Sequence, residues 1–168
     1  MALSRTRTLP VLFDEQVPRK HLLGQAAVFA IWIGTTAIGA FLHPSAAGHG
    51  THEQLGLPAC PSVLLFDRPC PGCGLTTSWT ATIHGNIPFA LHAHPLGPLL
   101  YLLFTCLALL GGYGYITGRR LRTYSEPFNR ASAIIAAVFI CFGLIRFAMT
   151  PHFAARYERE AYGFTSNR

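Results

Sequence analysis

Three cysteines lie close together in the chain, at Cys60, Cys70 and Cys73. Thiols at this spacing support three kinds of chemistry. Outside the cytoplasm the compartment favours disulfides, so one pair closes a loop and one thiol remains. The two-residue gap between Cys70 and Cys73 is also that of a zinc site, with His84, His92 and His94 as the histidines to complete four ligands. The third chemistry is thiol–disulfide exchange, with Cys73 near a helix N-terminus that lowers its pKa. Against it, no strand–helix pattern of a thioredoxin fold surrounds the pair, and the intervening proline stands in a different order from the usual motif. Spacing alone leaves staple, metal ligand and redox pair open.

The elements that must position these residues are apolar. The chain has 168 residues, 51% hydrophobic and only 12% charged, where a soluble chain carries about a quarter charged. The mean hydropathy is +0.34. Leu23 to Leu42 is a run of 20 residues without charge, long enough to span a bilayer. Ser45-Ala46-Ala47 offers a signal-peptide cleavage site, but the run exceeds an ordinary signal core of about 7–15 residues. Residues 95–118 form a second uncharged run, with its prolines at the start, where a missing N–H costs little. Residues 131–150 form a third, broken only by Arg146. The expected fold is therefore an all-α integral membrane protein with three transmembrane helices, plus one or two short interfacial helices in the long loop.

Basic residues set the expected orientation. The 1–22 segment holds Arg5, Arg7, Arg19 and Lys20; the 119–130 loop holds Arg119, Arg120, Arg122 and Arg130; the 43–94 loop holds Arg68 alone. The first two are read as cytoplasmic and the cysteine loop as extracytoplasmic. A third span puts the 151–168 tail outside too, in mild conflict with its Arg156, Arg159 and Arg168. On this orientation seven of the eight histidines lie outside, His21 being the exception.

Within the 43–94 loop, Thr76, Thr77 and Ser78 are helix-starting residues. Leu75, Trp79 and Ile83 recur at helical spacing, and Gly85 is a stop. A second short helix is expected from Pro88 to His92. Neither is long enough to span, and Trp79 suits the bilayer interface.

The run Cys70-Pro71-Gly72-Cys73-Gly74-Leu75-Thr76, after the earlier Cys60-Pro61 and before His94-Pro95, resembles the bacterial family catalogued as domain of unknown function 2752. The resemblance covers about Cys60 to Tyr101. It implies a small polytopic membrane protein and no stated activity. The family pattern usually has arginine after the Leu-Thr pair, where this chain has Thr77.

Arg146 is the only charge inside a span. It is read as a charge anchor, snorkelling to the headgroups or, in a sharper version, paired with Asp67 or Glu53. Gly111, Gly114 and Gly118 make a small-residue strip on the second span, and Ala133 and Ala137 one on the third, expected to bring those two helices together. Cys106 and Cys141, inside spans, read as small buried hydrophobes. His92 and His94 are candidates for haem or pigment ligation on the imidazole alone.

No phosphate-cradling glycine loop, HExxH or intramembrane carboxylate pair is present, so no enzyme is expected. The net charge of +6 does not point to nucleic acid, because the basic residues flank apolar runs. Three short spans without a broken-helix repeat leave little room for a transport site. Two functions remain: a non-catalytic accessory or scaffold subunit of a larger membrane complex, such as a bioenergetic one, with other integral membrane subunits as partners; or an extracytoplasmic metal-binding protein, with zinc as the candidate ion, or thiol-redox protein built on Cys60, Cys70 and Cys73.

Overall fold

The computed structural model describes residues 13–153. Arg5, Arg7 and Pro10, and the tail cations Arg156, Arg159 and Arg168, lie outside the described residues. Three helices are long and apolar enough to cross a membrane. They are α1 (Leu23–Phe41), lengthened by a 3₁₀ turn at Arg19–Leu22, α5 (Gly97–Thr117) and α6 (Glu126–Met149). The 21 residues of α5 rise about 31 Å at 1.5 Å each, close to the roughly 30 Å of a hydrocarbon core. Their surfaces are largely apolar and exposed, as lipid requires. The third helix begins at Glu126, five residues before the apolar run at Ala131, because its first turn is polar and held by an Arg130–Glu126 pair at 3.3 Å.

Between α1 and α5 lie α2 (Pro61–Phe66), α3 (Leu75–Ile83) and α4 (Ile87–Ala93), with a 3₁₀ turn at Thr51–Leu55. The last two match the helices expected from sequence. In α2, Pro61 fills the first position, where no N–H is needed, and Asp67 stops the helix in a left-handed conformation. Leu64, Leu65 and Phe66 remain exposed on it. An antiparallel ribbon pairs β1 (Phe13–Gln16) with β2 (Arg119–Leu121), Phe13 opposite Leu121.

The chain divides into two compact units. Among the described residues, the first comprises 13–34 and 104–133. Its centre is Gln25, a polar residue inside the first apolar run. The Gln25 amide donates to the carbonyls of Arg119 (3.2 Å) and Gly111 (3.4 Å), and its oxygen accepts from the Leu121 amide at 2.5 Å. Glycines make this approach possible. A Cβ on Gly112 would meet the Phe29 ring at 2.9 Å, and one on Gly114 would meet the Gln25 amide at 2.7 Å. The small-residue strip of α5 thus packs on α1, not on the third span as the sequence suggested. Gly118 has no neighbour within 4 Å of a Cβ; it ends α5 with a φ of +71°. Ala133 and Ala137 are exposed on α6.

Among the described residues, the second unit comprises 35–103 and 134–153. Its core is the α3–α4 hairpin. Ser78 Oγ, fully buried, donates to the carbonyl of Ala90 at 2.7 Å and lies 3.3 Å from that of His94. A Cβ on Gly97 would collide with the Ser78 side chain, so the start of α5 closes directly over α3. Thr51 and Thr77 join hydroxyls at 2.8 Å in a fully buried pair.

Candidate functional site

The site is built where α2, α3 and α6 meet the Cys70–Gly74 turn. Cys60 is the N-cap of α2. Cys73 follows a tight turn closed by its own amide on the Cys70 carbonyl at 3.0 Å. Gly74 then enters α3 at φ +82°, with the Ala93 carbonyl lying where a Cβ would be. This conformation belongs to glycine, and it turns the chain so that Cys73 points back to Cys60. The thiol atoms of Cys60, Cys70 and Cys73 lie within 4.8 Å of one another. Cys73 Sγ donates to Cys60 Sγ at 3.4 Å.

Two side chains from outside hold this turn. Arg146 Nη1 donates to the Cys73 carbonyl at 2.7 Å, and Nη2 to the Ala93 carbonyl at 3.1 Å. Its guanidinium also lies over the Phe153 ring at 5.3 Å. Of the two carboxylates proposed from sequence as its partner, Asp67 sits 3.3 Å from His152 and Glu53 folds back against Gly50. Arg146 reaches the loop through carbonyls. The approach of α6 is close: a Cβ on Gly143 would collide with Pro71. Arg68 makes the reciprocal contact, donating to the carbonyls of Phe147 (2.8 Å) and Ala148 (3.0 Å). It satisfies carbonyls of the last turn of α6 that have no partner within the helix.

The histidines are placed differently from the expectation. Among the described residues the cluster of metal-capable groups contains the three thiols and no imidazole. His94 is fully buried, stacked at 5.8 Å on Phe139, with Nε2 3.1 Å from the Pro71 carbonyl. His84 Nε2 lies 3.0 Å from the Leu42 carbonyl. Each ring spends its Nε2 on tying loops together, while His94 Nδ1 is buried without a hydrogen-bond partner. His92 is exposed, its ring 6.3 Å from Phe89. Cys106 and Cys141 lie exposed on α5 and α6 rather than buried.

Electrostatics separate the thiols. Burial raises Cys73, and hydrogen bonds with Cys70 and Cys60 raise it further, so its thiol titrates well above the ordinary cysteine range. This reverses the lowering expected for Cys73. Burial also works against the Cys60 thiolate, but the Cys73 thiol and the Val63 amide outweigh it, helped by Cys70 and Ser62. Cys60 therefore titrates below the usual value and ionises more readily than Cys73. His94 is lowered, first by burial and then by the charge of Arg146, against the Pro71 hydrogen bond.

Fold and site define a small three-span membrane protein carrying a three-thiol cluster beside its helices. Residues 60–108 match the family model described as Protein of unknown function (DUF2752). The match holds all three thiols, α2 to α4 and the first half of α5; Arg146 lies beyond it. No curated protein and no solved structure matches the chain.

Proposed function

We propose that this protein is a membrane-anchored metal-binding protein in which Cys60, Cys70 and Cys73 ligate one thiophilic ion, Zn(II) or Cu(I), at the extracytoplasmic face. One observation carries the reading: three thiols brought within 4.8 Å of one another from residues 60, 70 and 73. A tetrahedral ion with metal–sulfur bonds of about 2.3 Å holds its sulfurs about 3.8 Å apart. The cluster needs only small side-chain adjustments to reach that spacing. Soft thiolates select such ions over calcium or magnesium. Three ligands leave a fourth position open, the arrangement that suits exchange or delivery rather than a closed structural site. The extracytoplasmic side follows from the single Arg68 in the loop, against four cations in each of the 1–22 and 119–130 segments.

The accessory-subunit reading rests on the exposed apolar surface of the three helices, which lipid covers without any partner. The thiol cluster is a specific arrangement with no such ordinary explanation for its third member, so the function is assigned there. A disulfide staple between Cys60 and Cys73 is the competing use, favoured by their 3.4 Å separation.

The test is metal analysis of protein purified from membranes under anaerobic, chelator-free conditions, with thiols counted on the same sample. The expected result is close to one equivalent of zinc or copper, lost together in C60S, C70S and C73S variants and retained in C106S. A metal-free protein with one accessible loop thiol and a Cys60–Cys73 bond would replace the metal site by a staple.

A further inference from the structure

The first unit holds a cavity of about 170 Å³ lined by His21, Gln25, Val28, Leu107, Arg120 and Tyr124, among others. We infer that it binds the headgroup of an anionic phospholipid. Its two ends differ in chemistry. Gly24, Val28, Leu107 and Gly111 form an apolar end on α1 and α5. His21, Arg120, Thr123 and Tyr124 form a polar end just beyond the helix termini. Gly111 and Leu107 lie six and ten residues before the end of α5 at Thr117, so the cavity reaches about 9 to 15 Å inward along the helix. It thus runs from the headgroup level into the acyl region.

Charge selects the occupant. Arg120 is held in place by its guanidinium stacked 4.8 Å over the Tyr124 ring. Arg119 and Arg122 stand near it in sequence, as Arg19 and Lys20 precede His21. Of the acids nearby, Glu126 at the start of α6 is paired with Arg130, and Asp14 and Glu15 stand on β1, the strand paired with β2. A single ordered water needs roughly 10–15 Å³ of such space, so the cavity accommodates a hydrated phosphate. Basic pockets between spans at the headgroup level are the form in which anionic lipids are bound. Gln25 does not compete for the ligand; its amide and oxygen are committed to Gly111, Arg119 and Leu121.

The experiment is native mass spectrometry of the full chain in mild detergent, with phosphatidylglycerol and phosphatidylcholine supplied in equal amounts. Expected is one retained phosphatidylglycerol in preference to phosphatidylcholine. The preference should fall about fivefold in R120Q, the size of one surface cation's contribution, and persist in R120K. R130Q removes the same charge outside the cavity and should behave as wild type. Thermal unfolding of each variant, matched to wild type, shows that the fold is retained. Equal retention of the two lipids, or an R120Q protein that still selects phosphatidylglycerol, would overturn the assignment. Displacement of the lipid by millimolar inorganic phosphate would also overturn it, in favour of a free-anion site.

Discussion

Arg146 on the third span donates a 2.7 Å hydrogen bond to the backbone carbonyl of Cys73. A charged group is thereby spent on main chain inside the thiol turn, and the same fork reaches Ala93. A lysine has no planar fork to span the two carbonyls in this fixed geometry. R146K and R146M should each lower stability, the methionine variant by about 1.5–3 kcal/mol, the range for a hydrogen bond to a charged donor. Denaturant unfolding in micelles measures this. An R146M protein as stable as wild type would remove the clamp from the account.

The thiols should react in a fixed order. Cys60 is half-buried and lowered, whereas Cys73 is buried and raised. The thiolate is the nucleophile. Limited alkylation of reduced protein with iodoacetamide near neutral pH, followed by peptide mass spectrometry, should mark Cys60 well before Cys73. Labelling of Cys73 first would contradict the hydrogen-bond direction between them.

His94 makes stability depend on pH. Its pKa in the fold lies below the ordinary 6.5, mainly through burial. The unfolded chain therefore binds the proton first. Stability is unaffected well above 6.5 and falls as pH drops through that value towards the folded-state pKa. Wild type should lose stability between pH 7.5 and 5.5, and H94Q, whose amide still reaches the Pro71 carbonyl, should lose less. Parallel losses in the two proteins would assign the dependence to other groups.

Gly74 combines a left-handed φ of +82° with the Ala93 carbonyl at the Cβ position. G74A should cost about 1–3 kcal/mol from backbone strain alone, plus the collision. G24A, where nothing lies within 4 Å of a Cβ, should be neutral or mildly stabilising. Thermal unfolding of the pair separates the two effects, and equal midpoints would refute the strain.

The long helices were legible because about 20 uncharged residues leave few alternatives to a span. So were α3 and α4, from the spacing of Leu75, Trp79 and Ile83, the stop at Gly85 and the start near Pro88, although Gly74 and not Thr76, Thr77 or Ser78 leads into α3. The ribbon was not: Phe13 and Leu121 are far apart in sequence, and three or four residues carry no periodicity. The Cys70–Cys73 pair announced itself by spacing, and the convergence of Cys60 on it rests on the α2 cap and the Gly74 turn. The partners of Arg146 and Arg68 were hidden for a simpler reason. Backbone carbonyls are present at every residue, so a cation that seeks one leaves no complementary side chain to find. The same applies to His84 and His94, which looked like ligands and serve as ties.

The clamp on Cys73 also has a place in time. Its donor lies 73 residues further along the chain, and a ribosome adding roughly 5–20 residues per second makes Cys73 about 4 to 15 seconds before Arg146. Arg68 likewise waits for Phe147 and Ala148, 79 and 80 residues away. During biogenesis the cysteine turn is therefore translated, and its two flanking spans synthesised, before the segment that fixes it exists. Whatever oxidant or ion the nascent thiols encounter in that interval, they encounter it in an unlatched loop, and insertion of the last helix is the event that closes the latch.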